Sequence, residues 1–181
     1  MRRTEKKFMA ELWGRPAASL SRRVRRQLPE VVVSLRAAAS RGDRVAMTCL
    51  AYLIKVRLTP PLRRGEMVEL IERAARLNEP AAQLQLSVVL KRRGRVRQSL
   101  RWLLRAAENA LPEALFHYAL ALLALRRPRR REAEALLRRA HRFGHRDAAG
   151  WLAVTFGKTN WIRIAARQGD AHAIHLLSGA R

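Results

Sequence analysis

The sequence predicts an all-α fold, an α/α superhelix (solenoid) of about four to five helical hairpins. Two observations predict it. A short alanine-containing phrase recurs along the chain, and apolar residues recur around each copy at three- and four-residue spacing, the period of one buried helix face. Hydrophobic residues make up 49% of the 181 residues, which is enough for a substantial core.

Five copies of the phrase align when one alanine of each is taken as the anchor. The anchors are Ala38, Ala74, Ala106, Ala140 and Ala165. Successive anchors are 36, 32, 34 and 25 residues apart, the spacing of helical-hairpin repeats except in the shortened last copy. An Ile or Leu stands three residues before each anchor and another alanine stands eight residues after it. Such small residues let two helices cross at about 8 to 10 Å.

Four residues after each anchor the chain is predicted to turn. The residues at this position are Gly42, Asn78, Ala110, Gly144 and Gly169. Four of the five are Gly or Asn, the types that accept the left-handed backbone conformation ending a helix. Each copy is therefore a helix, a tight turn and a second helix, and copies must stack to bury their apolar faces.

The alanine phrases place the helices of the repeat domain, residues 29–181. Before the turns, helices are predicted at 30–41, 66–77, 97–109, 131–143 and 159–168. After the turns, helices are predicted at 44–55, 80–91, 112–125, 146–155 and 171–178. The last helix is expected to cap the solenoid, with docking of another subunit as the alternative.

Residues 1–28 lie outside the repeats and are predicted to form a basic helical cap or arm. The stretches "TEKKFMAELW" and "AASLSRRVRRQL" are each expected to be a short helix. A solenoid end needs covering, which favours a cap. A detachable basic arm carrying Arg22, Arg23, Arg25 and Arg26 is the alternative.

Two longer stretches, "SLRWLLRAAENALPEALFHYALAL" and "EALLRRAHRFGHRDAAGWLA", resemble Sel-one-like repeats, which are relatives of tetratricopeptide repeats. The resemblance covers about residues 30 to 179. It departs where "LTPPLRRGE", "KRRGRVR" and "RRPRRRE" replace the glycine-rich turn of the family. The resemblance implies an α/α superhelix that works as an adaptor or scaffold, without shared catalytic chemistry.

The chain is strongly basic, with 38 Lys and Arg against 14 Asp and Glu and a formal net charge of +24. In a solenoid, the loops that follow the helices predicted at 44–55, 80–91, 112–125 and 146–155 project along one edge, opposite the tight turns. The basic residues predicted on this edge, here called the basic edge, are Lys55, Arg57, Arg63, Arg64, Lys91, Arg92, Arg93, Arg95, Arg97, Arg126, Arg127, Arg129, Arg130, Arg131 and Lys158. Their only acidic neighbours are Glu66 and Glu132, at helix starts where the helix dipole favours acids. A charge run is often only a solvated face, but crowded like charges repel, so clustering on one edge favours a binding surface over that alternative.

Residues that could carry chemistry are sparse. His141 with His145, and His172 with His175, have helical ligand spacing, but no Cys or carboxylate cluster completes a metal site. Cys49 is expected to be a buried thiol, and Asp147 and Asp170 to be helix caps. Without a phosphate-binding glycine loop or a nucleophile motif, the chain is predicted to be no enzyme and to need no cofactor or metal.

Three functions remain open. The first is an adaptor that binds an acidic protein partner, as a regulator or an inhibitor in a bacterial system. The second is a nucleic-acid-associated protein whose basic edge contacts the phosphate backbone without reading sequence, because aromatic residues are only 6% and Trp102, Trp151 and Trp161 lie within predicted helices. Attachment to anionic lipid through the N-terminal arm is a third, weaker alternative. No secretory signal or apolar run of about 18 residues is evident, which predicts a cytoplasmic protein.

Overall fold

A computed structural model describes residues 8–11, 21–157, 159–169 and 171–178. These residues form helices and loops without any strand, and residues 8–11 are helical. The longer helices are α1 (Arg22–Ser40), α2 (Arg44–Lys55), α3 (Glu66–Arg76), α4 (Pro80–Arg92), α5 (Val96–Glu108), α6 (Pro112–Leu123), α7 (Arg130–Arg142), α8 (Ala148–Phe156), α9 (Thr159–Arg167) and α10 (Ala171–Ser178). The predicted all-α class is confirmed.

The chain consists of two compact units, residues 1–93 and 94–181. In the first unit α1 packs on α2, α2 on α3 and α3 on α4. In the second unit each helix from α5 to α10 packs on the next, and α8 also contacts α10. Packing between consecutive helices is what a stack of hairpins requires, because each hairpin buries its apolar faces against its neighbours.

The repeated small residues form the core of both units. All five anchor alanines are buried, and so are the alanines eight residues after them. Ala74, Ala106 and Ala140, like most of the alanines in the second set, are fully shielded from solvent. The recurrent alanines are therefore contact points between helices, where a larger side chain would keep the two backbones apart.

The five predicted turn positions all have the left-handed backbone conformation. The φ angles are +92° at Gly42, +59° at Asn78, +56° at Ala110, +89° at Gly144 and +83° at Gly169. At three of these turns the following amide donates to the anchor carbonyl, over 3.1 Å from Asp43 to Ala38, 3.1 Å from Glu79 to Ala74 and 2.9 Å from His145 to Ala140. This is the Schellman arrangement, which supplies donors to carbonyls at the end of a helix.

Helix α1 differs from its prediction. The sequence suggested one helix ending near residue 28 and another beginning at residue 30, whereas α1 continues through Pro29. It begins at Arg22, and the hydroxyl of the N-cap residue Ser21 accepts a hydrogen bond from the Val24 amide at 3.3 Å. A proline inside a helix removes one backbone donor, and the remaining backbone bonds of this 19-residue helix hold it together. The assignment of residues 1–28 to a cap or an arm stays a prediction.

Two further helix ends move by two residues. Helix α6 ends at Leu123 instead of residue 125, close before Pro128, which disfavours helical conformation in the residue preceding it. Helix α8 begins at Ala148 instead of residue 146. Asp147 stands at its N-cap position as predicted, but its side chain accepts no capping hydrogen bond. Asp170 lies outside the described residues.

Candidate functional site

The predicted basic edge is exposed wherever the structure describes it. Every described member has an exposed side chain. Lys158 lies outside the described residues. In the first unit the members lie at the end of α2, in the loop after it and at the end of α4. In the second unit they lie around the start of α5, in the loop before α7 and in the first turn of α7. Each unit therefore presents its own set of basic residues.

The loop of residues 56–65 in the first unit is organised by an ion pair that the sequence did not reveal. Arg36 of α1 places Nη1 2.6 Å from Glu66 Oε1 and donates from Nη2 to the Pro60 carbonyl at 2.9 Å. The second carboxylate oxygen of Glu66 accepts a hydrogen bond from the Leu62 amide at 2.6 Å. Glu66 therefore holds the loop in place, in addition to its expected position at a helix start.

Both ends of the same loop are fixed by backbone geometry. At its beginning Arg57 has a φ of +60°, and the Leu58 amide donates to the Leu53 carbonyl at 2.9 Å. At its end Gly65 has a φ of +88°, and its carbonyl accepts from the Val68 amide at 3.0 Å. The positive φ at Gly65 favours glycine, because a Cβ atom makes this conformation unfavourable.

The arginines of this loop differ in whether an acid of the chain neutralises them. The Arg63 guanidinium forms a two-pronged hydrogen bond with the Glu69 carboxylate. Lys55, Arg57 and Arg64 are exposed and form no ion pair within the described part of the chain. Arg57 and Arg64 of the loop, together with Lys55 at the end of α2, are therefore three positive charges that no described acid neutralises.

Arg44, which follows the turn at Gly42 in the first unit, is bound by acceptors within that unit. Its side chain lies 3.5 Å from Glu79 Oε2 and donates to the Leu77 carbonyl, at the end of α3, over 2.9 Å. Burial raises the pKa of Glu79, and the charge of Arg44 partly opposes that shift. Arg44 is thus engaged with acceptors of its own unit, unlike the free cations after α2.

The arginine run before α7 in the second unit divides in the same way. Arg129 lies 2.7 Å from Glu132, and Arg130 donates to the Thr155 carbonyl at 2.8 Å with its guanidinium 5.3 Å from the centre of the Phe156 ring. Arg126, Arg127 and Arg131 are exposed and have no ion pair among the described residues. The sequence placed all five arginines in one group. In the structure Arg129 and Arg130 bind acceptors of the unit, whereas the other three form no ion pair with a described residue.

The remaining predicted basic residues are exposed at helix ends. Lys91, Arg92 and Arg93 lie at the end of α4 in the first unit, and Arg95 and Arg97 lie at the start of α5 in the second. The residues predicted as an N-terminal arm, Arg22, Arg23, Arg25 and Arg26, lie in the first turns of α1 and are exposed. They are thus part of the long helix of the first unit.

A shallow apolar groove of about 260 Å³ lies on the second unit, a feature that the sequence did not predict. Leu100, Leu104, Tyr118, Ala121, Leu122 and Leu125 line it, together with Arg101 and Arg129. Burial raises the pKa of Tyr118, as does the nearby Glu132, while Arg129 opposes the shift. The apolar residues of the groove range from buried Leu122 to exposed Leu104 and Leu125, and nothing in the sequence pattern separated them from core positions.

The histidines pack against aromatic rings. His145 stacks on Phe116 with ring centres 4.1 Å apart, and His141 meets the Trp161 ring edge-on at 5.1 Å. The described residues contain no group of three or more His, Cys, Asp or Glu side chains placed to hold a metal ion. Cys49 is buried, and the side chain of His172 lies outside the described residues. None of the described helices combines the length and apolar character needed to cross a membrane.

Comparison with known proteins identifies the fold. No family model matches the chain, and no curated protein matches its sequence. Among solved structures, a Sel1 repeat protein from Oxalobacter formigenes matches 84% of this chain with a TM-score of 0.70 and 22% identity. A protective antigen of uropathogenic Escherichia coli that displays an SLR fold matches 93% of it with a TM-score of 0.69 and 16% identity. The chain covers 49% and 42% of these two proteins, less than half of their lengths. The chain therefore has the Sel1-like repeat fold that its alanine phrases predict.

Proposed function

We propose that the protein is a non-enzymatic repeat scaffold that binds an acidic protein partner through the free cations of its interhelical loops. The observation that carries this proposal is the division among the arginines. Arg36, Arg63, Arg129 and Arg130 are bound to acceptors of their own unit, whereas Arg57, Arg64, Arg126, Arg127 and Arg131 form no described ion pair. Clustered free cations repel one another and add nothing to stability, but they attract an anionic surface.

The fold supports this role because the packed helices form a rigid framework and the loops that carry the exposed cations extend from it. The helices bury the small residues that set their spacing, and the loops extend from a framework whose geometry is fixed by packing. Stoichiometric binding to one acidic protein would make the chain an adaptor, and binding over that protein's working surface would make it a regulator or an inhibitor. We place this function in the bacterial cytoplasm, in keeping with the bacterial origin of the two structural neighbours.

Nucleic acid is the second candidate partner, and the arginine run of the second unit favours it. Arg126, Arg127 and Arg131 could each contact a phosphate group, which a guanidinium binds through two parallel hydrogen bonds. The aromatic residues near this run offer little for base stacking, because Arg130 lies over Phe156. Binding would then depend on phosphate charge alone and would fall steeply with salt.

A pull-down treated with nuclease distinguishes the two partners. The full chain is used as bait in a bacterial lysate, with and without nuclease, and the bound material is analysed for protein and for nucleic acid. The proposal predicts one acidic protein, at a stoichiometric ratio to the bait, that survives nuclease treatment. Recovery of nucleic acid alone, together with loss of all protein after nuclease, would refute the adaptor function.

A further inference from the structure

We infer that the loop of residues 56–65 is a preformed docking element, in which Leu62 enters an apolar pocket on the acidic protein partner. This inference rests on the proposed function and adds to it the chemistry of one contact. It concerns the first unit only and is independent of the arginine run before α7.

Leu62 is the most exposed large apolar side chain that the structure describes. It is 77% exposed, against 68% for Val33, the next in order. A single exposed apolar residue is common on protein surfaces and needs no explanation by itself. The inference therefore depends on how the backbone around Leu62 is held and on which charges surround it.

The backbone on both sides of Leu62 is fixed by groups from two helices. The Pro60 carbonyl accepts from Arg36 of α1 at 2.9 Å, and the Leu62 amide donates to Glu66 of α3 at 2.6 Å. Pro60 and Pro61 further restrict the chain, because a proline ring fixes φ near −65°. Ordering a free loop on binding costs conformational entropy, so a loop that is already ordered binds a partner with less entropy loss.

The ion pair that orders this loop is an expensive way to gain stability. The side chains of Arg36 and Glu66 are only 21% and 12% exposed, so both charges have lost much of their hydration. Apolar residues of similar size often stabilise a protein at least as well as a buried ion pair. The two charges instead form directed hydrogen bonds with the Pro60 carbonyl and the Leu62 amide, which lie two residues before the exposed side chain and at its own residue.

The charges around Leu62 indicate the kind of surface it would meet. Arg57 and Arg64 are exposed and unpaired among the described residues, and Arg63 is neutralised by Glu69. In the sequence of the loop Leu62 stands between these two cations, a pattern complementary to an apolar pocket rimmed by carboxylates. A few side chains that enter desolvated pockets carry much of the affinity of an interface, and the surrounding charges steer association and set specificity.

A protein fits this surface better than a membrane or a nucleic acid does. One leucine side chain buries too little apolar area for stable membrane attachment, which takes two lipid-binding signals or a large apolar face. A phosphate backbone would use Arg57 and Arg64 but gains nothing from a leucine between them. The anionic protein proposed above provides both the pocket and the carboxylates.

Photo-crosslinking tests the contact directly. Benzoylphenylalanine replaces Leu62 in the full chain or, as the matched control, replaces the exposed Val33 of α1. After irradiation in a nuclease-treated bacterial lysate, the position-62 chain should crosslink to one acidic protein through an apolar residue near Asp and Glu side chains. The position-33 chain should give no such product. The inference would be overturned if the position-62 chain formed no crosslinked product, or if both positions gave the same products in equal amounts.

Binding to the purified crosslinked protein then separates a docking role from mere proximity. Leu62→Ala should weaken the affinity by about tenfold or more, and Val33→Ala should change it by less than about twofold. Glu66→Gln should also weaken binding, because it loosens the loop while leaving Leu62 in place. An affinity of Leu62→Ala equal to that of the wild type would refute the inference. It would also be refuted if Leu62→Ala weakened binding to phosphatidylglycerol vesicles more than it weakened binding to the protein.

The two proposals fail in different ways. If reversing the charges of Arg126, Arg127 and Arg131 releases the partner while Leu62→Ala binds normally, the proposed function stands and the docking element does not. If neither change weakens the binding of any protein recovered at a stoichiometric ratio, the proposed function and the docking element are both wrong.

Discussion

Arg36 of α1 and Glu66 of α3 lie 2.6 Å apart, between Nη1 and Oε1, and together bind both the Pro60 carbonyl and the Leu62 amide. Thirty residues of sequence separate the two charges, yet one pair joins three segments of the first unit. The contact between α1 and α3 is therefore also the contact that shapes an exposed basic loop. A change in either residue should affect stability and loop geometry together.

Glu66→Gln should lower the free energy of unfolding by about 1 to 3 kcal/mol, because the half-buried Arg36 loses its counter-charge. Urea denaturation followed by circular dichroism measures the change. The matched control is Glu72→Gln, which removes an exposed pair with Arg76 at 3.6 Å within α3. The control should cost less than about 0.5 kcal/mol. Equal effects of the two variants would show that the Arg36 and Glu66 pair contributes no more than a surface pair.

Ala110→Gly should stabilise the second unit. Ala110 has a φ of +56°, a conformation that costs a residue with a Cβ about 1 kcal/mol relative to glycine. Part of that gain is lost because glycine makes the unfolded chain more flexible, so the expected increase is about 0.5 kcal/mol. Thermal unfolding of the variant measures it.

The reverse change, Gly144→Ala, serves as the control for Ala110→Gly. Gly144 has a φ of +89°, and a Cβ atom there would contact nothing within 4 Å. Its cost therefore comes from backbone strain of about 1 kcal/mol, partly offset by the lower flexibility of the unfolded alanine chain, which leaves an expected cost of about 0.5 kcal/mol. A neutral Gly144→Ala, or a destabilising Ala110→Gly, would contradict the turn geometry.

The second unit should lose stability as the pH falls below about 6.5. Burial against Phe116 lowers the pKa of His145 below 6.5, although Asp147 and Glu113 oppose the shift. Because the unfolded chain then binds a proton more readily than the folded chain, stability is full above the unfolded pKa and falls as the pH drops toward the folded pKa. Unfolding free energies at pH 7.5 and 5.5 measure this.

His145→Phe should reduce the pH dependence, since it removes the titrating ring and keeps an aromatic side chain beside Phe116. His117→Gln, at an exposed position on α6, should leave most of it in place. A pH dependence identical in wild type and His145→Phe would exclude His145 as its source.

Local sequence was sufficient to predict the turns and most helices. The turn at Ala110 was predicted from the spacing of alanines around it and not from its own residue type, and its φ confirms that the repeat register is reliable. Helix α1 was predicted less well. Whether a proline such as Pro29 ends a helix depends on the stability of the rest of that helix, which local sequence does not give.

The candidate site was predicted only in part, because pairing depends on tertiary neighbours. Arg130 and Arg131 are adjacent and chemically identical, but only Arg130 reaches an acceptor, Thr155, which lies 25 residues later. The same holds for Arg36, which sits in a helix far from the basic loops in sequence and yet organises one of them. Charge runs show where basic residues cluster, and the fold decides which of them are left free.

The central claim is that free loop cations, and not the overall charge of +24, bind an acidic protein. The most direct measurement is isothermal titration of that protein, recovered from the nuclease-treated pull-down, with two triple variants of equal charge. One reverses the free residues Arg126, Arg127 and Arg131 to Glu, and the other reverses Arg139, Arg142 and Arg146, which are exposed on the second unit around the turn from α7 to α8. The first variant should lose at least about tenfold in affinity and the second should lose much less, since the contribution of a charge to binding falls with distance from the interface. Equal losses from the two variants would contradict the account.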